Sequence, residues 1–175
     1  MRAFIAIEVE RFPELNDLEN YIRGMENVTP VKTETLHMTM FFLGNISSLA
    51  TEEICGKLKK LEFQPTEISI SGIGAFPNTQ AANVLFLNVI ENPEIRKAYR
   101  TLDEMPSIRV LLKQKNHFVP HITIARFKSP KNVQALVHRF AYISKKINVD
   151  HISLFKSTLT DKGPVYEEIC RSGTS

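Results

Sequence analysis

The chain has 175 residues, 43% of them apolar, and carries a net charge of +3. This suits one compact domain, residues 1–175, burying about 70% of its unfolded surface, and no apolar run reaches the roughly 18 residues of a transmembrane helix. The mild basicity is compatible with an anionic ligand but too weak to mark nucleic-acid binding by itself.

Arg2–Val9 reads as an opening strand. Glu8, Glu10 and Arg11 interrupt its apolar character at once, unlike a secretion signal. Pro13 opens a helix with Leu15, Leu18, Ile22 and Met25 on one side. Leu36–Leu43 is a strand that Gly44 ends, and Asn45 or Ser47 caps the next helix. There Glu52 and Glu53 precede Lys57, Lys59 and Lys60, the order that complements the helix dipole, while Ile54, Leu58 and Leu61 form the buried face. Ile68–Phe76 and Val84–Ile90 read as an antiparallel pair. Asn92 and Pro93 are a cap and a first helical residue, followed by Ile95, Ala98, Tyr99 and Leu102 at helical spacing. Phe118–Phe127 is the next strand. Ser129-Pro130 repeats the cap signal ahead of Val133, Leu136, Val137 and Phe140. Lys146–Lys156 and Val165–Cys170 are two final strands with a turn at Asp161–Pro164. The order β-α-β-α-β-β-α-β-α-β-β looks like a duplicated α+β unit, and strand pairs without an intervening helix favour antiparallel sheet. No Gly-rich phosphate loop follows a strand.

Two segments, His37-Met38-Thr39-Met40 and His121-Ile122-Thr123-Ile124, share the pattern His-apolar-Thr-apolar and lie 84 residues apart (121 − 37). On a strand this places His and Thr on one face, about 7 Å apart, with the apolar residues in the core. One His-x-Thr is ordinary sheet-face chemistry; the doubling points to a site. Histidine titrates near neutrality. A neutral imidazole can therefore take a proton from water while a protonated one gives a proton to a leaving oxygen. Thr39 and Thr123 are stiff at χ1 and can aim their hydroxyls at a phosphate. Arg126 could add a forked contact. Its strand parity is opposite to that of His121, so a bulge or the strand's end is needed to turn it into the same cleft.

The remaining histidines and the cysteines are less informative. His117 and His121 have chelating spacing on a helix, but Phe118-Val119-Pro120 argues for extended chain. That separates the rings by about 13 Å, too far for one zinc ion. Zinc shared by His37 and His121 has no obvious third ligand. His138 on a helix and His151 on a strand receive no role. There is no Gly-x-Ser-x-Gly elbow, and neither cysteine has a partner pattern for nucleophilic catalysis. Cys55 and Cys170 read as reduced thiols of a cytoplasmic protein, a single disulfide being the alternative. The basic stretch Arg109–Lys115, with Lys113 and Lys115 near His117, either lines an anionic groove or is a solvated loop, and Lys128 and Lys131 pose the same choice. Phe41, Phe42, Phe76 and Phe86 are either core residues or stacking partners for bases.

At these residues the chain resembles the 2H phosphoesterase superfamily, named for two His-x-Thr motifs. More closely it resembles the bacterial and archaeal RNA 2′,3′-cyclic phosphodiesterases, also called 2′-5′ RNA ligases. Arg2-Ala3-Phe4-Ile5-Ala6-Ile7 is similar to the family's opening strand. Leu36-His37-Met38-Thr39-Met40-Phe41-Phe42-Leu43-Gly44 matches the first motif and its tail. Pro120-His121-Ile122-Thr123-Ile124-Ala125-Arg126 matches the second, arginine included, and Gly163-Pro164-Val165-Tyr166-Glu167 resembles the C-terminal strand.

The resemblance implies a bilobal α+β fold with two pseudo-symmetric lobes, two antiparallel sheets facing a central cleft, and helices on the outside. It implies opening of 2′,3′-cyclic phosphate ends of RNA to 2′-phosphates, without a metal or other cofactor. His37 is implied as the acid toward the 3′ oxygen and His121 as the base activating water, although a pseudo-symmetric site could run either way. Thr39, Thr123 and Arg126 are implied as phosphate ligands. The reverse reaction joins a cyclic end to a 5′-hydroxyl through a 2′-5′ bond. The implied partner is RNA, with tRNA fragments among the candidates; no membrane association is expected, and the absence of heptads makes a monomer the default. Relatives carry tryptophans near the first motif and in the middle strand pair. This chain has none, and Phe86 stands at the middle position, which puts base preference in question. Two other readings stay open: a phosphodiesterase of small cyclic nucleotides or cyclic ADP-ribose phosphates, and an RNA-end binding module without turnover.

Overall fold

A computed structural model describes residues 1–31, 34, 36–112 and 117–173. Lys113 and Lys115 of the basic stretch lie outside the described residues. The strands are β1 (Arg2–Val9), β2 (Val28–Pro30), β3 (Leu36–Asn45), β4 (Thr66–Phe76), β5 (Ala82–Val89), β6 (His121–Lys131), β7 (Ser144–Val149), β8 (Ser153–Thr160) and β9 (Gly163–Arg171). The helices are α1 (Asn16–Arg23), entered through a 3-10 turn at Pro13–Leu15, α2 (Ser48–Leu58), α3 (Pro93–Asp103), α4 (Pro106–Leu111) and α5 (Gln134–Arg139).

The strands form two sheets of order β3-β1-β8-β9 and β2-β6-β5-β4-β7, with every pairing antiparallel. The architecture is the expected α+β fold, with two antiparallel sheets facing a cleft and helices outside. Direct hairpins produce it: β4 runs into β5 through a turn in which Asn78 Oδ1 accepts from the amides of Gln80 and Ala81, and β8 turns into β9 at Gly163, whose φ of +104° suits glycine.

The apolar faces meet in a continuous core. Ile5, Ile7 and Met38 of one sheet and Leu85, Leu87 and Ile122 of the other belong to one cluster of buried side chains. β1 is buried on both faces, with Ile5 and Ile7 on one side and Phe4 and Ala6 on the other, because it is an interior strand. The second face forms a small separate cluster of Phe4, Ala6 and Phe155, against which Tyr166 packs. Helix ends follow the sequence signals: Ser47 accepts from the Ala50 amide, and Asn92 accepts from the amides of Glu94 and Ile95. Leu15, Leu18 and Ile22 bury one side of the first helical segment.

Several expectations need correction. Gly44 does not end its strand; β3 continues to Asn45, with Gly44 at φ +67° beside a bulge at Leu43, where Ala3 pairs with Gly44 and Phe4 with Phe42. Ser129-Pro130 does not start a helix. β6 runs through both residues to Lys131, where the ladder to β5 is irregular and tolerates proline. Helix α5 begins only at Gln134, whose amide is held by Asn132 Oδ1. Lys146–Lys156 is two strands: β7 pairs with β4 in the larger sheet, the chain crosses at Asp150–Ile152, and β8 pairs with β1 in the smaller one. His151 therefore sits in a crossover. The parity of the core residues changes at the crossover, from Ile147 and Val149 to Ile152 and Leu154, with Asp150 and His151 as consecutive polar residues between them. The short β2 and α4 carry too few residues to show a period, and α4 takes up Arg109 of the basic stretch.

The cysteines are also corrected. Cys55 on α2 and Cys170 on β9 form a disulfide, with Cα atoms 5.8 Å apart across 115 residues of sequence. Helix α2 packs against β9, so the two thiols meet although nothing in their spacing announces it.

Candidate active site

The two motifs lie on β3 and β6, on the strands' half-buried sides, while Met38, Met40, Ile122 and Ile124 point into the core. Each strand then carries a one-residue bulge immediately after its threonine. On β3, Thr39 pairs with Ala6 and Phe41 with Ile5, leaving Met40 extra. On β6, Thr123 pairs with Phe86 and Ala125 with Leu85, leaving Ile124 extra. A bulge resets the alternation. Phe42 and Arg126, each three residues past the threonine, thereby return to the exposed side. This is the device that the parity of Arg126 requires, and it occurs at equivalent positions of both motifs.

The site has two adjoining chambers. One, of 540 Å³, is lined by His37, Thr39, Thr123 and Arg126 together with Phe4 and Tyr166. The other, of 870 Å³, is lined by His121 with Phe76, Tyr99, His117 and Phe118. Thr39, Phe42 and Gly44 border both. All five residues singled out by the motifs therefore face one composite cleft, with the two histidines in different chambers and Thr39 between them.

His37 is held by aromatic edges. Phe155, Tyr166 and Phe4 surround its ring at centroid distances of 4.8, 5.2 and 5.6 Å, all close to perpendicular. Its side chain is 7% exposed, and Nε2 lies 3.9 Å from a carboxylate oxygen of Glu8, the residue opposite it on β1. Phe155 and Glu8 are site neighbours that motif reasoning missed. Glu8 is legible only through the β1–β3 register; Phe155 requires the β1–β8 pairing.

His121 is held differently. Its Nδ1 donates to the Val119 carbonyl at 2.7 Å, so Nδ1 carries the proton and Nε2 keeps a lone pair, an assignment made from the hydrogen bond. Burial holds its pKa below the usual histidine value, and the positive charge of Arg126 adds to this; the Val119 carbonyl opposes both. Phe76 and Phe86 pack edge-on at 5.0 and 5.2 Å. Phe86 is buried and props the histidine rather than offering a face to a base. Phe41 is likewise packed, stacked on Tyr99 at 4.6 Å. Of the four phenylalanines, only Phe42 is broadly exposed, at 64%.

His138 and His151 line neither chamber. His138 is exposed on α5. His151 bonds Asp150 at 2.5 Å and lies 3.9 Å from Glu168, in a cluster that ties the β7–β8 crossover to β9. Among the described residues, no group of three or more His, Cys, Asp or Glu is arranged to hold a metal ion, and no helix is long and apolar enough to cross a membrane.

Comparison with known proteins agrees with this geometry. Residues 14–161 match the model of the 2′-5′ RNA ligase superfamily. The chain is 33% identical to an RNA 2′,3′-cyclic phosphodiesterase of Methanocaldococcus jannaschii, over 97% of this chain and 98% of that one. It is 29% identical to a protein of the same name from Archaeoglobus fulgidus, over 97% and 98%. Among solved structures, a Thermus thermophilus protein superposes with a TM-score of 0.72 at 25% identity, covering 98% of this chain and 97% of that one. Escherichia coli LigT in its apo form shares the fold, with a TM-score of 0.69 at 19% identity over 97% and 95%. A match over most of the chain, relatives of equal length and a shared fold leave one conclusion: this chain belongs to the 2′-5′ RNA ligase superfamily.

Proposed function

We propose that the protein is an RNA 2′,3′-cyclic phosphodiesterase that opens the cyclic phosphate at an RNA 3′ end to a 2′-phosphate, with His121 as general base and His37 as general acid. The observation that carries this reading is the arrangement of the two histidines in adjoining chambers around Thr39, with Thr123 and Arg126 beside it. The names of the relatives support the substrate class. His121 suits the base: its Nδ1 proton is committed to Val119, and its lowered pKa keeps Nε2 unprotonated at neutral pH. Water gives its proton to that nitrogen as its oxygen attacks phosphorus, and His37 gives a proton to the departing 3′ oxygen. The hydroxyls of Thr39 and Thr123 and the guanidinium of Arg126 hold the phosphate oxygens and offset their charge, the task a metal would otherwise perform. Joining of a cyclic end to a 5′-hydroxyl uses the same groups in the same roles, with the hydroxyl replacing water as the entering group and O3′ again departing.

The matching bulges support a reading as one domain, 1–175, of two pseudo-symmetric lobes. We further propose a monomer acting in the cytoplasm on RNA ends, tRNA fragments included. The Cys55–Cys170 bridge takes away the reduced-thiol argument for that location, which then rests on the RNA substrate alone.

The test is incubation of an RNA oligonucleotide ending in a 2′,3′-cyclic phosphate, with chelator present. A 2′-phosphate product supports the reading. His37→Ala and His121→Ala should each lower kcat by about 10²–10⁴-fold. Activity undiminished in either variant defeats the two-histidine mechanism, and tight RNA binding without turnover points to an end-binding module.

A further inference from the structure

A separate cavity of 230 Å³ lies on the core side of the motif strands. Leu15, Leu18 and Ile22 of the first helical segment form one wall, and Leu36 of β3 and Ile124 of β6 form the other. Among the described residues, Val31 alone borders both this cavity and a chamber of the cleft. An engineered apolar cavity of roughly 150 Å³ takes up benzene, so this one has room for a ring with a short substituent.

One polar group sets the cavity apart from a packing defect. Glu19 lines it with a side chain only 11% exposed. Its Oε2 accepts from Arg11 at 2.7 Å and lies 3.8 Å from Arg23. Its Oε1 is shut off from water and receives no hydrogen bond. An ionised carboxylate can only accept, and a buried acceptor left unfilled is costly and rare in native proteins. The last torsion of a glutamate is broad, so a small turn presents Oε1 to a donor in the cavity. Two carboxylates, of Glu19 and Glu34, and one guanidinium, of Arg23, border the space, a balance that favours a cationic donor.

The cavity also touches the device that places Arg126. Ile124 is the extra residue of the β6 bulge; it lines the cavity, and its carbonyl accepts from the Val31 amide at 2.9 Å. Leu36 directly precedes His37. A molecule seated here packs against the back of the bulge and holds it in the form that turns Arg126 toward the cleft.

We propose that this cavity is an effector site for a small primary amine with an apolar body the size of a benzyl group. The ammonium group donates to Glu19 Oε1, and the apolar body presses on Ile124. The coupling to the cleft rests on the reading of Arg126 as a phosphate ligand; binding in the cavity does not.

The test uses the intact, oxidised protein and three probes: benzylamine, anisole as a donor-free molecule of the same size, and inorganic phosphate for the cleft. Calorimetric titration should show one benzylamine site with a Kd below about 1 mM, and anisole should bind about tenfold more weakly. Glu19→Met, which keeps the length but has no carboxylate, should bring benzylamine down to the level of anisole. Leu18→Phe, which fills the cavity, should abolish binding of both. Saturating benzylamine should tighten phosphate about fivefold, and saturating phosphate should tighten benzylamine by the same factor, as linkage demands. Phosphate binding that is lost in Arg126→Gln places that probe in the cleft. Absence of benzylamine binding, equal affinity for anisole, binding untouched by Leu18→Phe, or phosphate affinity unmoved by benzylamine overturns the effector site. Phosphate that binds equally well in Arg126→Gln overturns the reading of Arg126 and the effector role with it, while the amine titration shows separately whether the cavity binds.

Discussion

Opening the Cys55–Cys170 bridge should remove a large share of the protein's stability. The bridge spans 115 residues of a 175-residue chain. In the chain-entropy treatment, a loop of that length restricts the unfolded ensemble by about 5 kcal/mol at 25 °C, and loss of a native bridge costs about 2–5 kcal/mol in small domains. Domains carry about 5–15 kcal/mol in all. The bridge also fastens β9, an edge strand paired on one side with β8 and packed against α2. Tyr166 of that strand belongs to the ring that holds His37. The assay is urea unfolding of the oxidised protein, the reduced protein and the Cys55→Ser/Cys170→Ser double variant. The two opened forms should agree with each other, with a stability about 2–5 kcal/mol lower and a steeper m, since the unlinked unfolded chain exposes more surface. Two titratable thiols in the unreduced, denatured protein would refute the bridge itself. A stability change under about 1 kcal/mol with m unchanged would refute the entropic account.

Three further outcomes are expected. With His121 as the proposed base, required unprotonated and with its pKa held below the usual value of about 6.5, the acid limb of the kcat/KM–pH profile should fall below that pH. Arg126→Gln should move it upward as the repelling charge is lost; a limb that stays in place in the variant would show that the charge does not act on the base. Gly74→Ala should place a Cβ 2.7 Å from the Phe86 ring and 2.9 Å from Asn88 Oδ1, costing about 1–3 kcal/mol. It should also lower kcat by shifting the ring that props His121, and wild-type kcat in this variant would contradict the role given to Phe86. Asn92→Ala should cost about 1–2 kcal/mol in thermal unfolding, because Asn92 caps α3 and also donates to Thr66 Oγ1 at 3.1 Å and the Glu67 carbonyl at 3.0 Å; a smaller effect than that of Ser47→Ala would show that these cross-links contribute nothing.

Alternation and end signals make most elements readable. The stripe Leu15, Leu18, Ile22, the caps Ser47 and Asn92, and the paired strands β4 and β5 are local consequences of side-chain spacing and turn chemistry, and they stand in the structure as read. The same logic fails where the cause is not local. Pro130 looks like a helix start because serine before proline is a common cap; it lies instead at the irregular end of a strand already committed to its neighbours. The Lys146–Lys156 run is rich in strand-forming residues and reads as one strand, yet its apolar parity changes at Asp150-His151 and it serves two sheets.

The candidate site divides along the same line. The sequence by itself determined that two His-x-Thr units occupy strands with their polar faces outward, since that follows from the period of a strand and the chemistry of the side chains. Only the tertiary structure decided that Arg126 joins them, because a bulge exists as a mismatch between two paired strands and has no signature in one of them. Only the tertiary structure seated His37 among Phe4, Phe155 and Tyr166, drawn from three strands, and put His121 and His37 in separate chambers that meet at Thr39. It also brought Cys55 to Cys170. Contacts of this kind depend on which strand lies beside which, and that is settled by the packing of the whole core rather than by any stretch of residues within it.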